Sequence, residues 1–117
     1  MSAFDALLLG HLIGDFLLQT SWMAGNKTKH LLPLLVHSLV YTVSIAVFSW
    51  LTLHRLSYLM LVFIFVIHVI LDRRTFVHWW VEKIMRTDGP PAAWLSIVVD
   101  QTFHLLALAA TLRFLSS

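Results

Sequence analysis

The stretch that decides the fold is Gly10–Gln19, with the sequence GHLIGDFLLQ. Within an otherwise apolar segment, His11, Asp15 and Gln19 follow one another at intervals of four residues. Residues four apart share one face of a helix, so these side chains form a polar stripe. Ionisable groups in a membrane helix are costly and normally face the protein interior, where they have a partner or a function. The stretch therefore predicts a polar site inside a helical membrane protein.

The composition of the whole chain agrees with a membrane protein. Hydrophobic residues make up 59% of the 117 residues and charged residues 12%, whereas a soluble domain is nearer half apolar and a quarter charged. We therefore expect one integral membrane domain over residues 1–117, with the lipid bilayer as its surroundings and no nucleic-acid partner. The chain has no cysteine, which excludes disulfides, thiolate metal ligands and cysteine nucleophiles.

The hydropathy pattern predicts four membrane spans and one amphipathic helix at the membrane surface. About 20 apolar residues cross a hydrocarbon core. In the amphipathic segment, tryptophans and aliphatic residues alternate with charged ones, which is typical of a helix at headgroup level. The predicted fold is an all-α, four-helix membrane bundle with one interfacial helix between the third and fourth spans. The predicted spans are 3–24, 31–53, 58–72 and 92–112, and the interfacial helix covers 75–88.

The positions of the basic residues predict the orientation of the spans. Six of the eight Lys and Arg residues follow the first or the third span. Basic loops stay in the cytoplasm, so both termini are predicted to lie outside. With about 1.5 Å of rise per residue, Asp15, His37, His68 and Asp100 then fall at similar depth on the cytoplasmic side. Lys27 and Lys29 are interpreted mainly as topology signals, with an anionic headgroup or a phosphate as the alternative ligand.

The spacing of the first His–Asp pair recurs in two later spans. His68 precedes Asp72 by four residues, and Asp100 precedes His104 by four, whereas chance predicts about half of one such pair in this chain. Imidazole and carboxylate together suit zinc, iron or manganese, and helical bundles build metal sites from such inward residues. We therefore expect a divalent metal, zinc first and iron or manganese as alternatives. The predicted ligands are His11, Asp15, His37, His68, Asp72, Asp100 and His104.

Seven candidate ligands exceed the four of a closed zinc site. Either the chain binds two metal ions, or some of the seven residues do not bind metal themselves and orient the imidazoles that bind it. The leading hypothesis is a metal-dependent hydrolase acting on a lipid-like phosphate or ester, in which Asp15 and Asp72 are catalytic. The residues assigned to substrate binding are Gln19, Arg73, Arg74 and Gln101.

Two other functions fit the same pattern. One is a metal or proton carrier, which predicts a polar route continuing to the outer side. The other is a non-catalytic small subunit of an oligomer or larger membrane complex, in which the His/Asp cluster ties helices together.

Several motifs along the chain resemble those of one family, domain of unknown function 3307. They are His11–Gln19, Trp22-Met23-Ala24, Lys27, His37, the His68/Asp72 pair and Asp100-Gln101-x-x-His104. The likeness covers nearly the whole chain and implies a small helical protein of the bacterial inner membrane, with no established activity. In architecture and His/Asp usage alone, the chain also resembles, more distantly, proteins described as membrane-bound metal-dependent hydrolases.

Overall fold

The structure, a computed structural model, describes residues 1–115; residues 116 and 117 of the predicted domain lie outside the described residues. The regular elements in this range are all helical, as the sequence predicts. Two of them continue as a π-helical turn, α1 over Ile13–Leu17 and α5 over Trp80–Ile84. The helices are α1 Ala3–Leu12, α2 Ser21–Asn26, α3 Leu31–Leu51, α4 Tyr58–Asp72, α5 Thr75–Trp79 and α6 Pro90–Leu115.

Helices α3 and α6 are long and apolar enough to cross a membrane, by length and composition. Helix α4 is apolar and has 15 residues, with the same bounds that the sequence predicts. Helix α3 ends two residues before the predicted end at residue 53. Helix α6 extends beyond the predicted 92–112 at both ends. It begins at Pro90, and proline is favoured in the first turn of a helix.

The first predicted span, 3–24, is interrupted rather than continuous. The π-helical turn ends at Leu17, and α2 begins only at Ser21. The Thr20 hydroxyl caps α2 by accepting a hydrogen bond from the Met23 backbone N–H at 3.3 Å. The Gln19 amide donates to the backbone carbonyl of Asp15 at 3.1 Å, which satisfies an acceptor near the end of the helix. Local side-chain hydrogen bonds therefore stabilise the bend.

The amphipathic helix after α4 is also shorter than the predicted 75–88. Its π-helical turn ends at Ile84, and Arg86 adopts a left-handed backbone conformation with φ 51°. The apolar side chains Val77 and Val81 are buried and form a small core with Val99 of α6. This contact places the short helix against the first half of α6.

Close packing of α1 on α3 sets the geometry of the bundle. A Cβ atom added at Gly10 would lie 2.9 Å from Ile45 Cα, and one at Gly14 would lie 2.9 Å from Tyr41 Cα. Only glycine permits such an approach, as the small-xxx-small spacing predicts. The side chains of His11 and Asp15 can therefore reach across to α3.

The interior of the bundle is divided along its length. One half is an apolar cluster of Leu7, Tyr41, Ile45, Ile64 and Leu108. The other half, nearer the connections between α1 and α3 and between α4 and α6, contains buried polar side chains. The structure thus has a mainly apolar end and a polar end that contains the buried histidines and aspartates.

Candidate metal centre

All seven predicted ligands are buried at the polar end of the bundle. Each is at most 3% exposed, and they come from α1 with its π-helical turn, α3, α4 and α6. We call this set the polar cluster; its members are His11, Asp15, His37, His68, Asp72, Asp100 and His104. The convergence predicted from depth is therefore present, while the role of each member as a ligand stays a prediction.

Asp72, at the end of α4, is the centre of the polar cluster. Its Oδ2 atom lies 2.8 Å from His37 Nε2 and 3.5 Å from His68 Nε2. Its Oδ1 atom lies 3.1 Å from His104 Nε2. One carboxylate thus contacts imidazoles from three helices.

Asp15 provides a second carboxylate, which contacts two of the same histidines. Its Oδ1 atom lies 3.0 Å from His37 Nε2 and 3.4 Å from His68 Nε2. Asp15 belongs to the π-helical turn, a local widening that is frequent at functional sites because it redirects a side chain.

Four of these side chains could hold a metal ion. One donor atom from each lies within 4.8 Å of the others, and the four residues are Asp15, His68, Asp72 and His104. In tetrahedral coordination, zinc–nitrogen and zinc–oxygen bonds of about 2.0–2.2 Å place neighbouring donors roughly 3.3–3.6 Å apart. His68 Nε2 lies at such distances from both carboxylates, 3.4 Å from Asp15 Oδ1 and 3.5 Å from Asp72 Oδ2. His104 Nε2 lies slightly closer to Asp72 Oδ1, at 3.1 Å.

Two atoms in the polar cluster are close together without forming a hydrogen bond. His104 Nε2 and Asp72 Oδ1 are 3.1 Å apart, yet within residues 1–115 neither has a hydrogen-bond partner. A buried polar atom without a partner costs about 1–3 kcal/mol. A cation coordinated by both atoms would remove that cost.

Hydrogen bonds on the far side of two imidazoles orient them towards the centre. The backbone carbonyl of Asp100 can only accept, so His104 Nδ1 donates to it, at 2.7 Å. In the neutral ring, Nε2 then presents its lone pair to Asp72. His68 Nδ1 is held by the Ser38 hydroxyl at 2.9 Å, and the Tyr41 ring stacks on the same imidazole at 3.9 Å. Such outer contacts are common behind metal-ligating histidines.

His11 reaches the centre only through other residues. The Gln101 side-chain amide donates to Asp15 Oδ2 at 3.0 Å, so its oxygen faces His11 and accepts from His11 Nε2 at 2.7 Å. The remaining nitrogen, Nδ1, is bonded to the Tyr41 hydroxyl at 2.7 Å. Both ring nitrogens of His11 are thus engaged by other side chains, and its role as a ligand stays a prediction.

Asp100 lies behind His104 and pairs with Arg74. Its Oδ1 atom is 3.4 Å from His104 Nδ1, and its Oδ2 atom is 3.6 Å from Arg74 Nη2. Arg74 has a left-handed backbone, φ 65°, between α4 and α5, a conformation that costs roughly 1–2 kcal/mol outside glycine. This sharp turn lets the guanidinium reach α6.

Lys27 is a member of the site that the sequence patterns did not place there. Its Nζ atom lies 2.9 Å from Asp72 Oδ2 and donates to Gln19 Oε1 at 2.8 Å, with the side chain only 8% exposed. Lys27 comes after the bend that interrupts the first predicted span. Helical periodicity therefore does not relate its position to that of the His–Asp pairs. Its interpretation mainly as a topology signal does not account for this contact.

The residues predicted to bind substrate divide into two groups. Gln19, Arg74 and Gln101 are engaged in contacts with Lys27, Asp100 and Asp15, respectively. Arg73 is exposed. A substrate role stays a prediction for all four.

A family model described as "Protein of unknown function (DUF3307)" matches residues 3–117, essentially the whole chain. No curated protein and no solved structure matches the chain.

Proposed function

We propose that this chain, which belongs to the DUF3307 family, is an integral membrane protein that binds a divalent metal ion at the polar end of its helical bundle. The observation that carries the proposal is the arrangement of two histidines and two aspartates whose donor atoms lie within 4.8 Å of one another. Zinc is the first candidate, with iron and manganese as alternatives, since all three accept imidazole and carboxylate ligands.

The distribution of polar and apolar side chains supports a membrane location. Contiguous apolar stripes face outward on α3 and α4, while the aspartates of the polar cluster are buried inside the bundle. Soluble monomers rarely expose apolar surface on this scale. The residues of these two stripes are 47–57% exposed and are Leu39, Val43, Val47, Val62, Val66 and Ile70.

The proposed topology has four spans. The first is α1 with its π-helical turn, and the others are α3, α4 and α6. Helix α5 would lie along the cytoplasmic surface, where Trp79 is half exposed at a depth suited to aromatic side chains. Both termini would then lie outside the bacterial inner membrane.

The two alternative functions receive less support from the packing. A carrier needs a polar route across the bundle, but the apolar cluster around Leu7, Ile45 and Ile64 closes the end opposite the polar cluster. A purely structural cluster would satisfy its own polar atoms, whereas His104 Nε2 and Asp72 Oδ1 lack hydrogen-bond partners among the described residues. A metal ion coordinated by these two atoms would supply their missing partner.

A metal-dependent hydrolase of a lipid-like phosphate or ester is the second candidate. A bound divalent cation would activate water and polarise the scissile group. The observation in its favour is the presence of Lys27 and Arg74 beside Asp72 and Asp100, which supplies positive charge for an anionic substrate. Zinc-loaded protein in nanodiscs should then hydrolyse a phosphomonoester or carboxylic-ester amphiphile, and release of product at the protein-free rate would rule this candidate out.

The metal content of matched variants tests the proposed function. Wild-type protein, loaded with zinc and dialysed, should retain about one equivalent, as one four-donor site requires. Asp72→Asn should lose it, because the substitution removes the carboxylate that contacts three histidines. Asp88→Asn, the same change at an exposed position, should behave as the wild type. Equal retention in all three proteins, or retention in none, would contradict the proposal.

A further inference from the structure

We infer that Lys27 makes the metal-loaded centre a binding site for a phosphate group. The inference rests on the proposed metal centre and names the class of ligand that this centre would take. The first observation is the position of the Lys27 ammonium group. It is buried and lies 2.9 Å from Asp72, the carboxylate that contacts three imidazoles.

The hydrogen bonds of Lys27 leave it with donor capacity. An ammonium group has three N–H donors. Gln19 Oε1 and Asp72 Oδ2 take two of them, and no further acceptor for Nζ occurs within residues 1–115. Arg74 provides a second unsatisfied donor, since its buried Nε atom has no partner in the same range.

The balance of formal charge changes sign when a metal binds. The three aspartates of the polar cluster face one lysine and one arginine, which leaves one net negative charge when the imidazoles are neutral. A divalent cation turns this into one net positive charge. Uncompensated charge away from water is costly, so the loaded centre favours an anion.

Lys27 also lies where an anion from the cytoplasmic side would arrive. It follows α2, beside the bend over residues 18–20, and its partner Gln19 is partly exposed. The opposite end of the bundle is closed by the apolar cluster. A phosphate has several oxygens, so one can face the metal while another accepts a hydrogen bond from Lys27.

Cobalt-substituted protein gives a direct measurement of anion binding. Cobalt(II) should occupy the same donor atoms, and its visible absorption reports changes in its coordination. In nanodiscs of phosphatidylcholine, titration with inorganic phosphate should change the wild-type spectrum saturably. Cobalt loading is measured first, so failure to bind metal, which would contradict the proposed function, is distinguished from failure to bind either phosphate probe, inorganic phosphate or the phosphatidate described below, which would overturn this inference.

Two variants of Lys27 and one control locate the effect. Lys27→Met and Lys27→Gln should still bind cobalt, while their affinity for phosphate falls about tenfold or more, the loss expected for one charged hydrogen bond. Lys29→Met, two residues away and exposed, should respond as the wild type. If both Lys27 variants lose cobalt, or bind phosphate as tightly as the wild type, the inference is wrong.

The source of the phosphate is decided in a parallel titration. Nanodiscs containing a phosphatidate replace inorganic phosphate as the probe. A Lys27-dependent spectral change with phosphatidate alone identifies a lipid headgroup, and one with inorganic phosphate identifies a soluble ligand. No change with either probe overturns the inference.

Discussion

At the scale of single residues, Gln101 determines how Asp15 is presented to the candidate metal centre. Its amide donates to Asp15 Oδ2, which leaves Oδ1 towards His37 and His68. Gln101→Leu should lower zinc affinity about 10–100-fold, the usual effect of losing an outer partner of a metal ligand. Competition with a chelator of known affinity measures this change. Unchanged affinity would show that Asp15 does not depend on Gln101.

The sequence identified the buried histidines and aspartates of the site but could not assign their roles. Spacing by four placed His11 and His104 equally on inward faces, because helical periodicity specifies direction and not hydrogen-bond partners. In the structure, Gln101 and Tyr41 occupy both nitrogens of His11, whereas His104 keeps Nε2 facing Asp72. That difference arises from residues on other helices, which no local pattern reveals.

At the scale of elements, the contact between α1 and α3 depends on Gly14. Gly14→Ala should destabilise the fold by about 1–3 kcal/mol, the usual cost of overpacking, since the new Cβ would lie 2.9 Å from the Tyr41 backbone. The free energy of unfolding in mixed micelles measures this effect.

Gly25→Ala is the matched control for that experiment. A Cβ at Gly25, in α2, meets nothing within 4 Å. This variant should be neutral or more stable by up to about 1 kcal/mol, because alanine is the better helix former. Equal effects of the two substitutions would contradict the close approach of α1 to α3.

The helix bounds show which elements a sequence can specify. Helix α4 has its predicted bounds because a continuous apolar run lies between Ser57, whose hydroxyl caps the helix, and two arginines. The bend after Leu17 was not predicted, since the apolar run conceals it and no proline or glycine marks it. Thr20, which caps α2, was the one available signal.

At the scale of the whole molecule, the distribution of lysines and arginines predicts one orientation in the membrane. The chain has no cysteine, so single introduced thiols can report exposure without background. Leu53→Cys should react with an impermeant maleimide added to intact spheroplasts, and Thr28→Cys only in inverted vesicles. The reverse pattern would contradict the orientation inferred from the lysines and arginines.

Composition predicted a membrane protein because the chain is more apolar and less charged than a typical soluble domain. It could not predict that Lys27 would enter the polar cluster. A long, flexible side chain next to a bend can reach several places, and only the packing of α2 against α3 determines which one it occupies.

X-ray absorption at the zinc edge of the loaded protein shows whether the polar cluster holds a metal ion. We expect nitrogen and oxygen ligands at about 2.0–2.2 Å, with the outer-shell scattering of coordinated imidazole. Zinc surrounded only by water, or an unchanged spectrum in Asp72→Asn, would contradict the proposed metal site.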